Sequence, residues 1–310
     1  MAGSSDAGSR RPRVAPSAMT PGDARGGSAE DDHRRPPRPR SLHRYGQNHL
    51  VDANILRAIV EQANVRSDDI VLEVGAADGQ LTRPLLRSAR LVYAFEIDSR
   101  FAARLDRLAA EHANLHFYDG DALKHELETL DPPPTALVAN LAYNIAIPLI
   151  MTSIARLPSV AHWGVMVQKE LGERLFAAPS TKAYAAVSVL VQIACRLEKV
   201  RPVPPVAFRP QPRVDSSFVT FRRRESGDEE VSLTSGEYAA IEVLVRRAFG
   251  HRRKVLTNTL AGIGRGHVEL TRGDVRVALE ALGLAPAARP EELSPPQWVA
   301  FARQLDWLPT

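Results

Sequence analysis

Cysteine occurs once in the 310 residues, at Cys195. A single thiol cannot form an internal disulfide, which points to a reducing compartment and predicts a cytoplasmic protein. Lysine is scarce as well, five against 35 arginines, a bias expected of a GC-rich genome. The nine histidines are scattered, with no HExxH helix and no Cys/His cluster, so no metal site is expected. No apolar run approaches the ~18 residues needed to span a membrane. The N-terminal stretch has no apolar signal core, and no membrane partner is expected. No internal repeat is present, no Walker lysine follows a glycine loop, and no G-x-G-x-x-G exists at the first candidate strand end.

Charge is present in both signs but unevenly placed. The formal net charge is +4. Residues 1–40 carry eight Arg against five acids, and residues 41–200 carry 16 basic against 18 acidic groups. Residues 201–224 then hold six Arg against one Asp, and residues 246–254 hold five cations and no acid. A near-neutral body with two late basic patches suggests a polyanionic partner, although any one patch alone reads better as solvated surface. The candidate RNA-contacting residues are Arg209, Arg213, Arg222, Arg252, Arg253 and Lys254.

Residues 1–40 are rich in Gly, Ser, Pro, Arg and Asp. Such a composition offers no core and predicts a disordered basic tail. From residue 41 to 225 the pattern is that of a folded domain. Asp52 is placed to cap a helix carrying Ile55, Leu56, Ile59 and Val60. β-type runs follow at Ile70–Val74, Leu91–Ile97, Leu115–Tyr118, Ala136–Ala139 and Gly164–Val167, separated by helical segments. This alternation predicts an α/β, Rossmann-like doubly wound sheet. Leu197–Val203 and Phe218–Phe221 read as antiparallel additions at its edge. Residues 235–310 read as a small helical domain, with a basic helix over Arg246–Lys254.

The first strand run leads into Gly75-Ala76-Ala77-Asp78-Gly79, and Glu96 stands 21 residues after Gly75. A glycine there lets the backbone approach a ligand, and an acid at about that offset accepts the ribose hydroxyls of a nucleoside. Ala77 argues against a dinucleotide and therefore against a nicotinamide dehydrogenase. A nucleoside without phosphates, such as S-adenosylmethionine, tolerates this loop better. Asp121, after the third run, is either an acceptor for the adenine amino group of that cofactor or a turn aspartate.

The fourth run ends in Asn140-Leu141-Ala142-Tyr143. These residue types suit methylation of an adenine N6, whose lone pair is delocalised into the ring. An amide oxygen from Asn140 and a backbone carbonyl at Leu141 or Ala142 can accept the two N6 protons and turn the lone pair outward. Tyr143 can stack on an extruded base. Taken singly, Asn140 is an ordinary turn residue and Tyr143 a half-buried aromatic.

Together these segments resemble the small-subunit (16S) rRNA adenine N6,N6-dimethyltransferase family, over roughly Tyr45 to Leu260. Gly46-Gln47-Asn48-His49-Leu50 is similar to the family's G-Q-N-F-L opening. The resemblance extends to Gln168-Lys169-Glu170, Lys182-Ala183-Tyr184, Pro205 to Pro210, Val214-Asp215-Ser216 and Arg252 to Asn258. It implies S-adenosyl-L-methionine as cofactor, held by Asn48, Leu50, Gly75, Glu96, Asp121 and Asn140, with Asn140 and Tyr143 catalytic. It further implies that the partner is small-subunit rRNA and the protein a monomer. Three positions depart from the family: Ala142 stands for proline in the N-L-P-Y loop, the glycine loop is poorer, and His49 replaces phenylalanine. The rival expectations are an erythromycin-resistance 23S rRNA adenine methyltransferase and a weakly catalytic ribosome-assembly binding factor.

Overall fold

The computed structural model describes residues 48–225, 233–265 and 268–309. The expected basic tail over residues 1–40 lies outside the described residues, as do Gly46 and Gln47. A two-residue strand β1 (His49–Leu50) precedes α1 (Ala53–Ala63), whose cap is Asp52: the carboxylate accepts from the Asn54 and Ile55 N–H groups at 2.9 and 3.1 Å. Those N–H groups have no partner inside the helix, which is why an acid at this position starts it.

The apolar runs become parallel strands because strands covered on both faces need apolar residues at every position. β2 (Ile70–Val74), α2 (Thr82–Ser88), β3 (Leu91–Glu96), α3 (Ala102–Glu111), β4 (Leu115–Asp119), β5 (Ala136–Asn140), α4 (Tyr143–Arg156) and β6 (His162–Gln168) follow in turn. All residues of β2 and β3 are buried. Next come α5 (Lys169–Leu175), α6 (Ala186–Ala194), β7 (Cys195–Val203), β8 (Phe208–Arg209) and β9 (Ser216–Arg223). The main sheet has the order β4-β3-β2-β5-β6-β9-β7, parallel from β4 to β6 and antiparallel at β9 and β7. The expected α/β class and the antiparallel additions are therefore present. β1 pairs with β8 in a separate antiparallel ribbon, His49 opposite Arg209 and Leu50 opposite Phe208.

Side chains alternate across the sheet. Ile70, Leu72 and Val74 face one core with α4, α5 and α6, whereas Val71 faces the other with Ile59, Leu85 and Leu105. The remaining elements are α7 (Ser235–Phe249), α8 (Leu256–Thr259), β10 (Gly264–Arg265), β11 (Val268–Glu269), α9 (Arg272–Ala281) and α10 (Pro295–Gln304). Their Tyr238, Leu244, Trp298 and Phe301 belong to the same continuous cluster as Leu190 and Val191 of α6. The helix expected over Arg246–Lys254 is corrected here: α7 ends at Phe249. Beyond it Gly250 and His251 donate back to the Arg246 and Ala248 carbonyls, closing the helix in a turn.

Candidate active site

Successive β-α units place the chain first on one side of β2 and then, after β4, on the other side at β5. Loops leaving the carboxyl ends of β2 and β5 therefore diverge, and a crevice opens between them, the usual ligand position in open α/β sheets. Here it is a cavity of about 680 Å³ lined by Asn48, Gly75, Glu96, Asp121, Asn140 and Tyr143, among others. Six of the residues expected at the site thus meet in one place.

Gly75 has φ +84°, and a Cβ there would stand 3.5 Å from the Asn140 carbonyl. The space tolerates a methyl group, but the dihedral does not suit an L-residue. Ala77 adopts φ +50° without being glycine. Its N–H donates to Glu96 Oε2 at 2.8 Å, and the Asp98 N–H donates to Oε1 at 2.8 Å. Glu96 is 2% exposed, and burial raises its pKa above the ordinary carboxylate value against the pull of those two N–H groups. A second acid, Glu73, lies deeper on β2. Burial pushes it up to about 8, an effect the nearby Thr82 hydroxyl partly offsets. Neither Glu73 Oε2 nor the Thr82 hydroxyl has a hydrogen bond of ordinary geometry.

Asp121 accepts from the Leu123 N–H at 3.0 Å, which closes the turn after β4, while still lining the cavity. The turn reading of this residue describes that contact. Asn140 ends β5, and its Nδ2 donates to the Asn48 carbonyl at 3.0 Å. Ala142, with φ −64° and ψ 146°, is the residue before α4. Tyr143, the first residue of that helix, is 59% exposed at the cavity mouth.

Leu50 is corrected: it is buried in the core and does not line the cavity. Period-two alternation along β1 turns Leu50 inward and His49 to the opposite side. His49 lines the cavity instead, edge-on to Phe101 at 5.5 Å. Burial lowers the imidazole pKa, with Asp78 opposing, so the ring is a neutral wall near pH 7. Phe208 and Gln168 also line the cavity. Sequence reasoning placed them only within family blocks. For Phe208 the available signal was a lone aromatic inside the proline-rich segment Pro204–Pro212.

A buried carboxylate and a glycine turn on one side of a crevice, with an Asn–Tyr loop on the other, are what nucleoside binding beside an extruded base requires. A family model for "Ribosomal RNA adenine dimethylase" matches residues 40–282. The chain belongs to the ribosomal RNA adenine dimethylase family. This dimethylase is 40% identical over 271 residues to the ribosomal RNA small subunit methyltransferase A of Rubrobacter xylanophilus, covering 87% of this chain and 97% of that one. It is 37% identical to the protein of the same name from Chromobacterium violaceum, covering 84% and 94%. Among solved structures, a dimethyladenosine transferase from Plasmodium falciparum has a TM-score of 0.69 at 27% identity, covering 83% and 97%. The 23S rRNA methyltransferase ErmE has a TM-score of 0.61 at 27% identity, covering 84% and 100%.

The basic residues of the dimethylase separate by depth. Arg209 and Arg213 are exposed on the segment that carries Phe208 and Pro212 to the cavity. Arg253 and Lys254 are exposed in the turn after α7. Arg222 is corrected on two counts. It pairs with Glu198 at 3.1 Å, and it stands opposite His162, at the far end of β6 from Gln168. That is about 20 Å from the cavity at the usual rise per strand residue. Its neighbour Arg223 lies over the Trp163 ring and donates to the carbonyls of Ile154, Leu157 and Val160, closing the C-terminal end of α4. Arg252 is likewise committed: it pairs with Glu291 and donates to the Lys182 and Thr181 carbonyls at 2.9 and 2.7 Å. It ties together three segments distant in sequence.

Among the described residues, no group of three or more metal-ligating side chains occurs, and no helix is long and apolar enough to cross a membrane.

Proposed function

We propose that this dimethylase N6,N6-dimethylates adjacent adenines near the 3′ end of 16S rRNA in the small ribosomal subunit, using S-adenosyl-L-methionine, as part of ribosome biogenesis. The observation that carries this reading is the joining, in one cavity, of Gly75, Glu96 and Asp121 with the Asn140–Tyr143 loop. The shared name of relatives 35–40% identical supports the small-subunit target. We further take the protein to act as a cytoplasmic monomer, with residues 235–310 as its RNA-contacting helical unit.

The chain's own groups fit the cofactor. The Glu96 carboxylate is the acceptor for ribose hydroxyls, Asp121 for the adenine amino group, and the Gly75 turn allows close backbone approach. Asn48 and Asn140 border the reacting end, and Leu50 acts from beneath through packing. When bound, S-adenosylmethionine supplies an electrophilic methyl group on a sulfonium. Asn140 Oδ1 accepts one N6 proton of the target adenine. The Ala142 carbonyl already accepts from the Ile145 and Ala146 N–H groups, which leaves the Leu141 carbonyl as the second acceptor. Two acceptors draw the N6 lone pair out of conjugation and aim it, and no base is needed before transfer because the proton becomes acidic on alkylation. Exposed Tyr143 and cavity-lining Phe208 offer faces for the flipped base. Arg209, Arg213, Arg253 and Lys254 hold phosphates without reading sequence. Arg222 and Arg252 serve the fold first.

The test is a parallel reaction with methyl-labelled cofactor on isolated unmethylated small and large subunits, followed by mapping of modified adenines. Label confined to two adjacent adenines of small-subunit RNA is expected. Label on large-subunit RNA would establish the resistance-enzyme reading instead, and binding without turnover would establish an assembly factor.

A further inference from the structure

An unsubstituted carboxamide has two faces, an acceptor oxygen and a donor nitrogen of nearly equal size. A residue that must present oxygen to an amine fails if it flips. Asn140 is held against this by a main-chain group: its Nδ2 lies 3.0 Å from the Asn48 carbonyl. That carbonyl can only accept, so it selects the nitrogen and turns Oδ1 the other way. Asn48 is in turn fixed by the ribbon that follows it, with Leu50 paired to Phe208 and the Val51 N–H on the Ala207 carbonyl at 2.8 Å. The ribbon partner then continues to Pro212 and Ser216 at the cavity wall.

We infer that the backbone carbonyl of Asn48 is a positioning group that locks the Asn140 carboxamide with its oxygen toward the reacting adenine N6, so that the β1–β8 ribbon sets the geometry of methyl transfer as well as lining the cavity. This rests on the reading of Asn140 as the N6 acceptor. It makes the two-residue strand β1 a working part of the transfer step. It also explains why a strand this short is anchored at its far end by an additional backbone hydrogen bond.

The discriminating variant is Asn140→Asp. A carboxylate has the same shape and is a good acceptor for N6–H, but it has no proton for the Asn48 carbonyl and meets that oxygen with like partial charge. A protonated Asp restores both contacts, its O–H donating to Asn48 and its carbonyl oxygen facing N6. The ratio of variant to wild-type single-turnover rate on small subunits should therefore climb as pH falls from 8 to 5. Its slope should approach about tenfold per pH unit, the proportionality of a rate to one protonated group. Dividing by wild type removes the contributions of His49, Glu96 and Asp121, the titratable groups that line the same cavity. Asn140→Ala, which no proton can repair, should give a flat ratio. Circular dichroism and denaturant unfolding at each pH confirm that both variants are folded. A flat ratio for Asn140→Asp overturns the inference: near one, the carbonyl lock is unnecessary; near zero, a proton does not restore it. Wild-type protein that fails to label small subunits would instead defeat the functional reading itself.

Discussion

Two loops face each other across the cavity, and each carries an alanine where the family pattern differs. Ala77, in the β2–α2 loop, sits at φ +50°, and Ala142, in the β5–α4 loop, at φ −64°. The first dihedral belongs to glycine and costs an L-residue about 1–2 kcal/mol. The second is the value that proline itself enforces, so alanine there loses only rigidity. Two equally small departures in sequence thus have opposite meanings, and only the backbone tells them apart. The strained loop is also the one braced by a buried carboxylate, through the Ala77 N–H on Glu96.

The largest effect that would sharpen this contrast concerns the acid beneath the strained loop. Glu73 has its pKa raised from 4.5 to about 8, so the folded state holds this proton more tightly than the unfolded chain does. Its stability contribution is complete below the unfolded value and is lost as pH rises through the folded one. Glu73→Gln should abolish that decline and gain about 3–5 kcal/mol over wild type between acid and pH 9, read by denaturant unfolding across pH. Parallel curves for the two proteins would show that Glu73 is not neutral when folded.

Glu96→Ala comes next. It removes a charged acceptor and leaves the Ala77 and Asp98 N–H groups unpartnered. S-adenosylmethionine affinity should fall by roughly 1.5–3 kcal/mol by calorimetry, and unchanged affinity in a folded variant would remove Glu96 from the site. Ala77→Gly should stabilise by about 0.5–1 kcal/mol, the relief of φ strain exceeding glycine's added unfolded-state entropy. A destabilised variant would mean that the loop is not strained. Smallest is Ala142→Pro. The Ala142 N–H donates no backbone hydrogen bond among the described residues. Proline should therefore be accepted with a gain of about 0.4–1 kcal/mol in thermal stability and an unchanged transfer rate.

How far the sequence was legible follows the same division. Parallel strands, the Asp52 cap, Gly75, Glu96 and Asn140 were readable because each rests on a local rule: continuous apolar runs, a capping acid, a turn and an offset. Leu50 was misplaced because a resemblance names a position, whereas the pleat decides which side chain faces the cavity. The arginines were the least readable. Arg209 and Arg222 lie in one basic stretch, yet the first is exposed beside the cavity and the second is paired to Glu198 at the far end of the sheet. Charge in a sequence carries no record of depth, and Arg223 and Arg252 spend theirs on carbonyls contributed by distant segments.

The cluster that joins α6 to α7 and α10 has a consequence for how a large RNA is met. Elements sharing one uninterrupted apolar interior cannot rock against each other without exposing it. Lys254, in the turn that closes α7, is therefore carried at a set distance from α6. On the proposed reading, an RNA whose phosphates match the spacing between that turn and the cavity brings its adenine to Tyr143, and one that does not must bend to reach it. Target choice on that reading is a measurement of shape, made by a caliper that does not open.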